Sequence, residues 1–125
     1  MIVADTDVLI DYLNDVAGAP GDRLELELAR KALATTSVSA YQLWKGATTR
    51  DDRAEVGELL ALVRVLPFDA RAAEHAGAAY RELAREGKAI GKADLYIASV
   101  CLAEKLPLLT RNRREFERVR GLRLA

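Results

Sequence analysis

The sequence holds a single cysteine and a single histidine in 125 residues. One Cys excludes an internal disulfide, and one Cys with one His cannot build a typical structural zinc site. No apolar run approaches the roughly 18 residues needed to span a bilayer. The opening residues, MIVADTD, turn acidic at once and carry no basic stretch, so no secretory signal is expected. Net charge is absent too, because 19 Lys and Arg balance 19 Asp and Glu. These absences predict a soluble, cytoplasmic protein with no membrane association. What remains suits a globular chain: half the residues are apolar and 30% are charged. The length fits one domain of roughly 100–150 residues, able to bury a core without staples. Residues 1–125 are therefore read as one domain.

The zero charge is a sum of two opposed parts. Residues 1–80 carry 8 basic and 13 acidic side chains, and residues 81–125 carry 11 and 6. Six arginines crowd the last stretch: Arg111, Arg113, Arg114, Arg118, Arg120 and Arg123. A basic edge beside an acidic region suits a protein that binds metal in one place and phosphates in another. A salt-bridged helix face, with Glu115 and Glu117 as partners, is the plainer alternative.

Short apolar segments alternate with helical patterns along the chain. Ile2-Val3-Ala4 reads as a buried strand, and Val8, Leu9, Tyr12 and Leu13 follow at helical spacing behind a cap at Thr6 or Asp7. A second helix is expected to hold Leu24, Leu26, Leu28 and Leu33. Residues 34–38 read as a strand, and Ser39 to Gln42 open a third helix in the S-x-x-Q form of a capping box. A fourth helix starts at Asp51, and residues 65–68 form a strand or strand edge. Asp69 caps a long Ala-rich helix stopped by Gly87. A further helix spans Leu95 to Glu104, followed by a strand over 106–110 and a helical turn at 112–116. This alternation predicts an α/β fold, a short parallel sheet flanked by helices on both faces.

In such sheets chemistry gathers beyond the carboxyl ends of the strands. That singles out Asp5, Thr6 and Asp7, then Ser39 to Gln42, then Thr110 to Asn112. Asp94, near the start of a helix preceding the last strand, is placed to face the same crevice.

Four blocks now stand in order: Val-Ala-Asp5-Thr6-Asp7-Val-Leu-Ile, Ser39-Ala-Tyr-Gln42-Leu-Trp-Lys-Gly46, Ile-Gly91-Lys-Ala-Asp94-Leu-Tyr-Ile-Ala98 and Leu-Thr110-Arg-Asn112-Arg-Arg-Glu115-Phe116. In this order and register the chain resembles a PIN domain, and over its whole length the VapC toxins of toxin–antitoxin pairs. The resemblance implies an endoribonuclease dependent on Mg²⁺ or Mn²⁺, cutting structured RNA such as tRNA or rRNA. It further implies a homodimer and a VapB-like antitoxin, whose C-terminal segment fills a groove between helices. Such a site needs no His or Cys nucleophile, because the cation activates water and stabilises charge on the phosphate.

The resemblance assigns the metal to Asp5, otherwise a helix-capping Asp, and to Asp94, otherwise a first-turn acid favoured by the helix dipole, and the catalytic set to these two with Thr6 and Gln42. Thr6 matches a hydroxyl position that orients a phosphate or a water. At position 42 the family normally has Glu, and a neutral Gln neither supplies charge nor acts as a base. Asp7 is an additional acid around the metal or a helix N-terminal acid, and Asp11, one turn on, is expected to face solvent. Asn112 stands where many relatives carry a fourth acid, and Glu115 is a nearby carboxylate or a surface residue. Lys92, Arg111, Arg113 and Arg114 are candidate RNA contacts. Tyr12, Tyr41 and Trp44 are core residues or anchors for a partner. Cys101 is expected to be a packed core residue, and His75 is too isolated to be a ligand.

Two other readings stay open. A PIN fold that no longer cuts would act by binding RNA or its antitoxin, and Gln42 favours it. A phospho-accepting receiver domain would share the acidic cluster after the first strand. It also needs a Lys after the last strand, where the chain has Thr110-Arg111-Asn112.

Overall fold

The computed structural model describes residues 1–125. Four short strands, β1 (Ile2–Ala4), β2 (Leu33–Thr36), β3 (Arg64–Leu66) and β4 (Leu108–Leu109), form one parallel sheet in the order β3-β2-β1-β4. Seven helices surround it: α1 (Thr6–Leu13), α2 (Ala19–Ala29), α3 (Ser37–Gly46), α4 (Arg50–Leu62), α5 (Ala70–Glu86), α6 (Lys92–Glu104) and α7 (Arg113–Phe116). The C-terminal tail extends the β4 edge. Leu108 N–H donates to the Arg123 carbonyl at 2.9 Å, and Ala125 N–H donates to the Leu108 carbonyl at 2.8 Å.

Every residue of β1 and β2 is buried, as expected of parallel strands covered on both faces. Successive β1 side chains feed opposite cores. Ile2 and Ala4 pack with Val8, Leu24, Leu43 and Val56, under α1 to α4. Val3 packs with Ala72, Ile97, Val100 and Phe116, under α5 to α7. The sheet is thus sandwiched between two helical layers.

Several local expectations need correction. Leu33 is not in the second helix but begins β2, because α2 ends at Ala29 and Lys31 turns the chain through the left-handed region (φ 56°). Pairing with Ile2 then sends Leu33 into the core. The capping box at Ser39 and Gln42 does not form. Thr36 caps α3 instead, its hydroxyl accepting from Ser39 N–H at 3.0 Å, which leaves the Gln42 side chain free for another contact. Asp5, not Thr6 or Asp7, caps α1. Asp69 and Gly87 bound α5 as expected, Gly87 at φ 67°. No helix is long and apolar enough to cross a membrane.

Candidate active site

Because β1 lies between β2 and β4, the residues leaving the carboxyl ends of these strands converge. Asp5 follows β1, Thr36 ends β2, and Thr110 follows β4. Asp5 is only 4% exposed. Its Oδ1 accepts from Thr6 N–H at 2.7 Å, and its Oδ2 accepts from the Thr110 hydroxyl at 2.7 Å. Burial pushes the Asp5 carboxyl up to about 7, against the stabilising Thr110 hydrogen bond. The charges of Asp7 and Asp94 push the same way as burial.

Asp94 sits in the first turn of α6 and is half-buried. Its carboxyl is also raised, first by burial, then by the charges of Glu115 and Asp7. Asp7 and Asp94 thus act on Asp5, while Glu115 and Asp7 act on Asp94. Asp7 Oδ1 is shut off from solvent and has no hydrogen-bond partner. Asn112 lies at the rim, its backbone N–H donating to Thr110 Oγ1 at 3.0 Å and its side chain reaching Glu115 at 3.5 Å.

Gln42 and Thr6 meet. The Thr6 hydroxyl donates to Gln42 Oε1 and lies 2.9 Å from Ser39 Oγ. A hydroxyl has one proton to give, so Thr6 accepts from Ser39. Ser39 in turn lies 3.3 Å from the Thr36 hydroxyl. The result is a directed chain of hydroxyls, Thr36 to Ser39 to Thr6, ending on the Gln42 carbonyl.

Arg111 spans the acids of α1. Its Nε is 2.8 Å from Asp11 Oδ2 and 3.8 Å from Asp7 Oδ2. Asp11 is therefore ion-paired rather than solvent-facing. The other tail arginines find carbonyls and one glutamate, not Glu115 or Glu117: Arg113 binds the Ala125 carbonyl, Arg118 that of Ala89, Arg123 that of Lys105, and Arg120 pairs with Glu82. Arg114 and Lys92 are exposed.

This arrangement fits a hard divalent cation. Its donors are carboxylate oxygens, one of them unpartnered, and their mutual repulsion is relieved by positive charge. No three His, Cys, Asp or Glu side chains are grouped closely enough to hold a metal ion by themselves. Mg²⁺ does not require such a group, since it keeps several waters and binds through one or two carboxylates plus substrate phosphate.

Residues 2–122 match the PIN-domain family. The chain is 31% identical to the tRNA(fMet)-specific endonuclease VapC of Shigella flexneri, over 95% of this chain and 92% of that one. It is 40% identical to ribonuclease VapC10 of Mycobacterium tuberculosis, over 90% and 83% of the two. The chain belongs to the VapC family of PIN-domain proteins. Solved VapC structures superpose along its whole length. The DNA-bound VapBC of Salmonella typhimurium matches with a TM-score of 0.88 at 29% identity, covering 100% of this chain and 98% of that one. VapBC2 of Rickettsia felis, bound to a promoter DNA fragment, matches with a TM-score of 0.86 at 27% identity and the same coverage.

Within this VapC-family fold, sequence reasoning missed Thr36 and gave no site role to Asp11, and it singled out Ser39 and Thr110 by position without their partners Thr6 and Asp5. Their signal was positional, since Thr36, Ser39 and Thr110 are polar residues at or just after strand ends that turn out fully buried. Cys101 is buried and its thiol is pushed up to about 12, chiefly by burial, so it stays neutral and packs as expected. His75 is exposed on α5, away from the acids. Tyr41 and Trp44 are exposed, and Tyr12 packs against the α1–α4 core.

Proposed function

We propose that this chain is the toxin of a toxin–antitoxin pair, an endoribonuclease that cuts structured RNA using Mg²⁺ or Mn²⁺ held by Asp5 and Asp94. The observation that carries this reading is the buried Asp5 carboxyl group, fixed by Thr6 and Thr110 and surrounded by further acids. When bound, the cation lowers the pKa of a water and offsets charge on the scissile phosphate, which lets a chain with one His dispense with a His base. The protein's own part is orientation. Thr110 and the Thr6 N–H fix both Asp5 oxygens. The Thr36–Ser39–Thr6 chain aims one hydroxyl proton at the Gln42 carbonyl, so Thr6 and Gln42 form the polar wall along which a phosphate or water is positioned. Glu115 and Asn112 close the rim.

RNA is read here as passing over a hollow of about 360 Å³ lined by Asp11, Thr110, Arg111 and Arg113 among others. Lys92 and Arg114 add positive charge free to meet phosphates. The antitoxin segment is assigned to a cleft of about 240 Å³ between α1, α3 and α4, lined by Ile10, Leu13, Leu43, Ala47 and Val56. Exposed Ile10 lines it, and a structural relative at 27% identity is a member of the VapBC family of toxin–antitoxin systems. Homodimerisation belongs to the same reading.

A second reading is favoured by Gln42 alone: a silent PIN domain that binds RNA or antitoxin without cutting. Incubating structured RNA with Mn²⁺ and the parent, Gln42→Glu and Asp5→Asn proteins separates the two. The nuclease reading expects metal-dependent cutting by the parent and by Gln42→Glu, lost with Asp5→Asn. Cutting by Gln42→Glu alone assigns the parent to the silent reading. If none cuts and none binds the metal, the enzymatic reading is wrong.

A further inference from the structure

Gln42 is neutral where the family resemblance implies a Glu, and Asp7 is an acid on the neighbouring helix α1. Asp7 lies in the first turn of α1, two residues beyond Asp5, and its Oδ1 is buried without a donor. Buried acceptors are seldom left unpaired, so this oxygen is free to coordinate. The other oxygen is only loosely engaged, with Arg111 Nε at 3.8 Å. The reason is Asp11, one helical turn further along the same face, which draws that guanidinium to 2.8 Å. Asp11 thus occupies the cation that would otherwise neutralise Asp7.

We infer that Asp7 supplies to the divalent-cation site the carboxylate that Gln42 does not, and that Asp11 keeps Arg111 off it. The inference rests on the proposed reading of Asp5 and Asp94 as the cation centre. A carboxylate at 7 in place of one at 42 leaves the charge of the site unchanged and moves it from α3 to α1. Whether it touches the ion or a coordinated water, it raises affinity for a hard cation. Asp11 is then a positioning residue that acts through Arg111.

The test is Mn²⁺ binding to the full chain, by calorimetry and by the paramagnetic resonance signal of bound Mn²⁺, with no cleavage required. Asp7→Asn is expected to weaken binding at least tenfold, and adding Gln42→Glu to that variant should recover most of the loss. Asp11→Asn is expected to weaken binding roughly threefold to tenfold, and to do so no longer once Arg111→Gln is present, the signature of a coupled pair. Asp7→Ser replaces Asp7→Asn if the latter does not fold, with the same expectation. If Asp7→Asn binds Mn²⁺ like the parent while Asp5→Asn does not, Asp7 is only a helix N-terminal acid and the inference is overturned. If Asp5→Asn also binds like the parent, the reading of the site itself fails. An Asp11→Asn loss that persists beside Arg111→Gln removes the part given to Arg111.

Discussion

The Asp5 carboxyl group caps α1 through one oxygen and receives the Thr110 hydroxyl on the other, so its position is set before any ligand arrives. Its ionisation carries a pH signature. With a folded value near 7 against roughly 3.9 in an unfolded chain, the folded state holds this proton more tightly. Stability without divalent cation therefore falls as pH rises from about 4 to about 7, and is flat above. Asp94, raised for the same reason of burial, adds in the same direction. In chelator, thermal unfolding midpoints should be higher at pH 5 than at pH 8, and Asp5→Asn should shrink the difference. Added Mn²⁺ should raise the midpoint more at pH 8, because cation and proton compete for the same oxygens. A parent protein equally stable at both pH values in chelator would contradict this account. The acids themselves were legible in the sequence, since they stand at a strand end and at a helix start. The pairing of Asp11 with Arg111 was not, because it joins positions a hundred residues apart that only the β1–β4 pairing brings together.

At the scale of elements, α3 decides how Gln42 is presented. Thr36 both ends β2 and caps α3, and the same hydroxyl lies next to Ser39 at the head of the chain that reaches Gln42. Thr36→Val keeps the shape and removes the hydroxyl. It should cost about 1–2 kcal/mol of stability, the range for losing a helix cap or a buried hydrogen bond. Denaturation midpoints check this; an unchanged midpoint would mean that the cap contributes nothing. Helix α5 was readable from its Asp69 cap and Gly87 stop, and β1 from three apolar residues before an acid. The start of α3 was misread because Ser39 and Gln42 satisfy a local capping pattern. The tertiary partner Thr6 draws Gln42 away from it, and no local pattern encodes that contact.

Taken whole, the molecule sorts its charge by position in the fold. Acids gather at the carboxyl edge of the sheet, while three of the six tail arginines are spent on the protein's own carbonyls, tying the C-terminal segment to α6, α7 and the loop before α6. Arg114 is exposed and outside these ties. Arg114→Gln should weaken RNA binding modestly and lower the slope of log affinity against log salt by nearly one, as for one lost phosphate contact. An unchanged slope would place the RNA elsewhere. The central claim is that a cation held at Asp5 cuts RNA, and cleavage of purified tRNA and rRNA by the unmodified chain tests it most directly. The account expects cutting with Mn²⁺ or Mg²⁺ that stops with chelator and is absent in Asp5→Asn. Cutting that survives chelator, or that Asp5→Asn performs as well as the parent, would contradict it.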